Sequence, residues 1–259
     1  MISIKSDREI ELMRATCKLA SRTLEYIGPF VKVGISTEEI NNLCHEFIVK
    51  NRATPSPLNY HGFPKSICTS RNEIICHGIP SESDILKNGD IVNIDITTYF
   101  NSFHGDTNKT FLVGEVSPKM KRLVEVTYFC LIAGIKEVRH DGQLRDIGIA
   151  IEQKAHENGY SVVEEYCGHG IGREFHEAPQ VLHFADASND VIMKEGMTFT
   201  VEPMINMGKR YCKILKDRWT VVTKDGLPSA QFEHTVLVTK KGCEILTLRS
   251  EENPALFRS

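Results

Sequence analysis

Apolar or small residues recur at Ile10, Met13, Cys17, Ala20, Leu24 and Ile27, in steps of 3, 4, 3, 4 and 3. That spacing draws one stripe along a helix. Ser6-x-x-Glu9 ahead of it is a capping box, in which each side chain bonds the other residue's backbone N–H, and Gly28-Pro29 ends it. A second box, Ser36-x-x-Glu39, opens a helix with Ile40, Leu43, Cys44, Phe47 and Ile48 on one side. The period then shortens to that of strands. Segments 66–70 and 73–77 flank a short turn, 91–99 follows Gly89-Asp90, and 106–113 follows a polar turn at Asn101-Ser102. The order then repeats. Ser117-Pro118 is an N-cap with proline at the first helical position, starting a helix to about residue 139, and a further helix over about 144–158 stops at Gly159. Strands are predicted again at about 160–165, 198–206, 219–223 and 229–239.

Each part therefore reads helix, helix, strands, about 7–115 and about 116–248, with a polar tail over 249–259 that is expected to be mobile. The matching order suggests two related halves about a pseudo-two-fold axis, although residue identity between them is negligible. No low-complexity linker separates them, so residues 1–259 are expected to form one α+β domain with an antiparallel sheet flanked by helices.

Composition narrows the function classes. The 31 Lys+Arg against 34 Asp+Glu leave a net charge of −3, which gives no reason to expect DNA binding. With 41% hydrophobic and 25% charged residues the chain is far from disorder. No apolar run approaches the ~18 residues of a membrane span. The first residues have neither the apolar run of a secretory signal nor the Arg-rich, acid-poor character of a transit peptide. The eight cysteines are scattered without a C-x-x-C and read as small buried hydrophobes in a cytoplasmic protein.

The most informative residues are acids inside apolar strands. Asp95 lies in the middle of Asp90-Ile-Val-Asn-Ile-Asp-Ile-Thr-Thr, where an unpaired carboxylate is costly. If the chain reverses around Phe100-Asn101, Asp95 and Asp106 face each other directly, with Cβ atoms ~5 Å apart. Such a pair needs a cation or a shared proton between its members; in another register the acids diverge. Glu202 ends one apolar strand in Phe199-Thr-Val-Glu-Pro, and Glu233 enters another in Gln231-Phe-Glu-His-Thr. His169 lies in Cys167-Gly-His-Gly-Ile-Gly, between glycines that let backbone pack close to the imidazole. Four acids with one imidazole suit Mn, Fe, Co or Zn pairs better than a structural zinc, and paired ions bridged by carboxylates are a common hydrolase device.

The chain resembles the type I methionine aminopeptidases, with their pita-bread fold, over essentially all of residues 1–248. The motifs that carry the likeness are Cys76-His-Gly-Ile-Pro, Asn93-Ile-Asp-Ile-Thr, His104-Gly-Asp-Thr-Asn-Lys-Thr-Phe, Cys167-Gly-His-Gly-Ile-Gly-Arg, Phe175-His-Glu, Thr200-Val-Glu-Pro-Met and Gln231-Phe-Glu-His-Thr. The resemblance implies that Asp95, Asp106, His169, Glu202 and Glu233 hold two divalent ions (Co, Mn, Fe or Zn). Asp106 and Glu233 would bridge them, Asp95 would belong to one ion, and His169 and Glu202 to the other. It also implies that His77 and His176 face the substrate, His176 on the carbonyl side and His77 at the scissile nitrogen, with Glu202 moving protons. Tyr60, Phe63, Cys68, Phe175 and Trp219, with Pro57 at the edge, would form an apolar pocket whose rings and sulfur suit a thioether. Of the other histidines, His61 is expected at the pocket mouth, and His104, His183 and His234 in supporting roles.

The implied activity is metal-dependent removal of the N-terminal methionine from nascent proteins and peptides, with a small second residue preferred. The implied setting is a monomeric, cytoplasmic, bacterial-type enzyme with no N-terminal extension, no DNA or membrane partner, and a transient association with the ribosome. Phe63 stands where tyrosine is common in the family, Pro57 where a small residue or cysteine is, and Arg218 where glycine is; these departures bear on pocket shape. Two other classes compete. A proline-directed peptidase of the same fold usually carries an extra N-terminal domain, and here the catalytic fold begins by about residue 7. A non-enzymatic binding module typically loses metal ligands, and all five matching positions are intact.

Overall fold

The computed structural model describes residues 2–258. The four predicted helices form: α1 (Asp7–Ile27), α2 (Thr37–Lys50), α3 (Pro118–Lys136) and α4 (Arg145–Glu157). Both capping boxes close. Ser6 N–H donates to the Glu9 carboxylate at 3.0 Å, and Ser36 N–H to Glu39 at 3.0 Å while Glu39 N–H returns a bond to Ser36 Oγ at 3.1 Å. A cap of this kind stabilises its helix by ~0.5–2 kcal/mol. The α1 stripe is the buried face: Met13, Cys17, Ala20, Leu24 and Ile27 are all buried.

The strands of the first part are β1 (Thr54–Pro55), β2 (Cys68–Arg71), β3 (Ile74–Cys76), β4 (Ile91–Phe100) and β5 (Phe103–Leu112). Those that follow α4 are β6 (Ser161–Val162), β7 (Gly168–Gly170), β8 (Glu177–Val181), β9 (Thr198–Val201) and β10 (Met204–Asn206). The last are β11 (Cys212–Ile214), β12 (Val221–Thr223), β13 (Ser229–Gln231), β14 (His234–Thr239) and β15 (Gly242–Ile245). Every ladder is antiparallel. One sheet holds β1, β4, β2 and β5; one runs β15-β14-β9-β7-β8; two three-stranded sheets run β13-β10-β6 and β11-β12-β3.

α1 packs on β4 and β5, and α3 lies against α4. Ile94 and Ile96 of β4 share one apolar cluster with Leu24, Ile40 and Ile48 of α1 and α2. Leu131 and Ile135 of α3 share another with Ile151 of α4, Phe199 of β9 and Val236 of β14.

Three expectations are corrected. Segments 198–206 and 229–239 are not unbroken strands. The first is interrupted at Glu202-Pro203, where proline has no N–H for a ladder. The second is interrupted at Phe232-Glu233, where the Glu233 N–H turns to the Asn108 carbonyl at 3.2 Å. At both breaks the chain passes between the five-stranded sheet and the β13-β10-β6 sheet. The segment after Thr247 is docked: Arg249 is buried, and Phe257, in a short 3₁₀ turn Pro254–Phe257, sets its ring 6.2 Å from Tyr128 and 5.5 Å from His234.

Candidate metal centre

The third correction concerns the β4–β5 hairpin. Asn101 and Ser102 both adopt positive φ (52° and 67°), and Phe100 pairs with Phe103, so the reversal is a two-residue loop centred one position later than the sequence suggests. Asp95 consequently faces Asn108, and Asp106 faces Thr97. The register differs by two residues, and side chains alternate with period two, so both acids stay on the same face as diagonal neighbours. Glu202 and Glu233 arrive from the two strand breaks. Ligand atoms of Asp95, Asp106 and Glu233 all lie within 4.8 Å of one another.

His169 completes the cluster from β7. An added Cβ at Gly168 would sit 2.4 Å from the Thr200 carbonyl oxygen, and one at Gly170 would sit 2.2 Å from that of Ala178. Only glycine therefore lets β7 lie this close to its neighbours. The imidazole Nδ1 lies 3.0 Å from the Gly170 carbonyl, which can only accept, so Nδ1 carries the proton and Nε2 presents a lone pair. That Nε2 is 3.7 Å from both Asp106 Oδ2 and Glu202 Oε1.

Three of the four carboxylates are each oriented by a donor. Thr97 Oγ1 donates to Asp106 at 2.7 Å, Asn108 Nδ2 to Glu233 Oε2 at 2.7 Å, and Thr200 Oγ1 to Glu202 Oε1 at 2.6 Å. Gln231 Nε2 donates to Glu202 Oε2 at 3.2 Å, and His183 Nε2 accepts the Glu202 backbone N–H at 3.1 Å. Asp95 Oδ1 and Glu233 Oε1 are buried with no hydrogen-bond partner. Burial pushes the acids up, Asp95 to about 7 and Glu202 to about 8. Asp106 and Glu233 rise well above the usual carboxylate range, through burial and then the neighbouring acids. Burial holds His169 down at about 4. Two orphaned carboxylate oxygens, an imidazole lone pair and no lysine or arginine among the cavity-lining residues form the donor set of a divalent cation.

The acids form part of the wall of a cavity of about 400 Å³ that also collects every other predicted site residue: Pro57, Tyr60, Phe63, Cys68, His77, Phe175, His176 and Trp219. Phe63 meets Trp219 edge-on at 5.1 Å, and Tyr60 lies 4.9 Å from Phe175. His77, at φ 55°, is held edge-on to Tyr166 and Trp219, and burial lowers it to about 4. His176 rests on Phe175, 4.3 Å between rings, and is lowered to about 3 by burial and by the histidines around it. Its Nδ1 is 2.7 Å from the Tyr60 hydroxyl. His61 packs against the cavity-lining Tyr60 at 4.4 Å and is not itself among the lining residues. His104 stacks on Phe175 at 5.5 Å and meets Ser56 at 2.8 Å.

Sequence reasoning passed over Thr97, Asn108, Thr200 and Gln231. A signal for them exists. Each stands two residues from one of the strand acids, hence on the same strand face, and is a polar side chain where an apolar one is expected.

A ring-walled cavity carrying buried acids and one aimed imidazole describes a metal-dependent hydrolase. The sequence pattern of metallopeptidase family M24 matches residues 11–240. The methionine aminopeptidase of Escherichia coli strain K12 is 51% identical over 258 residues, 99% of this chain and 98% of that protein. The crystal structure of methionine aminopeptidase from Rickettsia prowazekii superposes with a TM-score of 0.94 at 51% identity, covering 96% of this chain and 100% of that one. The methionine aminopeptidase from Thermotoga maritima gives 0.93 at 36% identity, covering 95% and 99%. The chain belongs to metallopeptidase family M24 and has the pita-bread fold expected from its motifs.

Proposed function

We propose that this chain is a methionyl aminopeptidase that removes the N-terminal methionine from peptides and nascent proteins and prefers a small second residue. The observation that carries the reading is the junction, in one cavity, of an acid cluster with the uncharged rings and sulfur of Tyr60, Phe63, Cys68, Phe175 and Trp219. Asp95, Asp106, His169, Glu202 and Glu233 would hold two divalent ions, Co, Mn, Fe or Zn. When bound, such ions supply Lewis acidity and a water whose pKa is lowered toward neutrality.

The remaining work falls to side chains. Tyr60, Phe63, Cys68, Phe175 and Trp219 desolvate the thioether and offer it polarisable contacts. The Tyr60 hydroxyl, its pKa raised by burial, stays protonated; in the tautomer where it donates to His176 Nδ1, the neutral imidazole carries its proton on Nε2. Nε2–H then donates to the peptide carbonyl oxygen as charge builds on it. His77, which lines the same cavity, would serve the scissile nitrogen. Glu202, whose oxygens are oriented by Thr200 and Gln231, takes up and returns the proton.

The likeness over nearly the whole length of the Escherichia coli enzyme supports the activity. On the same reading the chain is one catalytic domain in two halves, about 7–115 and 116–248, and works as a cytoplasmic monomer meeting nascent chains near the ribosome. Among the described residues no helix is long and apolar enough to cross a membrane. The test is release of free methionine from Met-Ala-Ser against N-acetylated Met-Ala-Ser. Release from the free peptide alone supports the reading; equal release from both, or none from either with divalent metal supplied, defeats it.

A further inference from the structure

The acid cluster straddles a seam. Asp95 and Asp106 belong to the β4–β5 sheet, whereas Glu233 opens β14 of the five-stranded sheet, and no ladder joins β5 to β14. Three side chains stitch the seam. Thr235 Oγ1 donates to the Asp106 carbonyl at 2.7 Å, Thr107 Oγ1 to the Glu233 carbonyl at 2.7 Å, and Asn108 Nδ2 to the Glu233 carboxylate at 2.7 Å. Behind these stitches, away from the cavity lining, lies the segment after Thr247. Arg249 NH1 reaches Thr107 Oγ1 at 3.3 Å on the β5 side. Its other amino group and its backbone N–H both bond Glu252, the latter at 2.9 Å. Glu252 Oε1 in turn meets His234 Nε2 at 3.1 Å on the β14 side and the Tyr128 hydroxyl of α3 at 3.1 Å. Thr247 closes the loop, accepting the Thr235 N–H at 3.0 Å and meeting His234 Nδ1 at 2.9 Å. Arg249 and Glu252 show only 2% and 4% of their side chains to solvent.

We propose that Arg249 and Glu252 are positioning residues, a clamp that grips β5 through Thr107 and β14 through His234 and so fixes the spacing of Asp106 and Glu233 for the divalent ions. The inference rests on the reading of those acids as metal ligands. Ionised acids this close repel when no cation is present, and between Asp106 and Glu233 the force acts across a line where no ladder joins the two sheets. A seam held shut behind the acids keeps the donor set assembled before the ion arrives; without the clamp the ion must also close the seam. The buried ion pair is a poor choice for stability alone, since apolar residues of equal volume often serve as well or better. Its place beside two ligand-bearing strands gives it another use.

The test uses the full chain stripped with EDTA, titrated calorimetrically with Mn(II), with thermal unfolding of the metal-free protein followed in parallel. Variants are Glu252→Gln, Arg249→Met, the conservative Glu252→Asp, Thr107→Val, and Leu131→Ala as a core control that lowers stability without removing a hydrogen bond of the clamp. Partners behind a metal ligand typically change metal affinity by ~10–100-fold. Glu252→Gln, Arg249→Met and Thr107→Val are expected to weaken Mn(II) binding by that factor, with partial recovery in Glu252→Asp. Leu131→Ala, at equal or greater loss of thermal stability, should bind Mn(II) as the wild type does. Thr107→Val leaves the tail intact and keeps the test decisive if the Arg249 variant does not fold. Wild-type binding unchanged in the clamp variants, or weakened equally in Leu131→Ala, would overturn the clamp. A wild-type chain that binds no Mn(II) would overturn the site reading and the clamp with it.

Discussion

His176→Ala removes a side chain that touches no carboxylate of the cluster yet lies 4.2 Å, ring to ring, from His169. If Nε2–H is the donor that meets the developing oxyanion, its loss should cost ~10²–10³-fold in kcat, ~2.7–4 kcal/mol, as for one oxyanion-hole donor. The bond is made in the transition state, so kcat and kcat/KM should fall together. The 2.7 Å contact with Tyr60 sets a second, smaller effect. Tyr60→Phe removes one neutral hydrogen bond, ~0.5–1.5 kcal/mol net, or roughly 2- to 12-fold in kcat. Because Tyr60 is argued to act through His176, the double variant should be no slower than His176→Ala beyond what lost pocket contact adds to KM. Kinetics on Met-Ala-Ser with metal content measured on each variant would decide. Loss of bound metal in His176→Ala would make His176 a ligand, and multiplication of the two kcat effects in the double variant would refute the tautomer argument.

Replacing Asp106 by Ala should abolish activity and strongly weaken binding of at least one ion, seen by calorimetric metal titration. In a Met-X-Ser series, rates should fall sharply once X exceeds valine, since a carbonyl displaced by ~1 Å can lose ~10²-fold in rate; equal rates for Ala and Phe would contradict this. Lys or Glu in place of the first Met should be released very slowly, because none of Tyr60, Phe63, Cys68, Phe175 and Trp219 carries a charge to pair with it. Glu252 yields a pH prediction. Burial alone would raise its pKa, but His234 and Arg249 outweigh burial and hold it at about 2. A depressed acid contributes stability that is complete above the unfolded value, ~4.3, and is lost as pH falls toward 2. The stability gap between wild type and Glu252→Gln, measured by urea unfolding, should therefore be full at pH 7 and shrink progressively as pH falls from about 4 toward 2.

Helices and chemistry were legible for different reasons. The α1 stripe and both capping boxes are local patterns, and the structure follows them nearly to the residue. The acids were legible because a carboxylate inside an apolar strand contradicts its surroundings. The hairpin register was not, since Asn101-Ser102 and Phe100-Asn101 both offer a turn and only the backbone torsions choose between them. A two-residue error preserved strand parity, so the face assignment survived the wrong partner. The β7 and β8 strands escaped notice because Gly168-His-Gly and Glu177-Ala-Pro-Gln-Val have no apolar alternation; glycine there serves close approach between backbones. The docked tail was hidden for the opposite reason. Arg249 and Glu252 look like surface charge in sequence and are buried against each other in the fold.

The central claim is that the five-residue donor set holds catalytic metal beside a methionine pocket. EDTA-stripped protein titrated with Mn(II) or Co(II), with bound metal and methionine release from Met-Ala-Ser read from the same samples, tests it most directly. Activity should be absent without metal and rise with occupancy to two ions per chain, and Glu233→Ala should lose both signals together. Full methionine release from protein shown to be metal-free, or metal binding undiminished in Glu233→Ala and Asp106→Ala alike, would contradict the account.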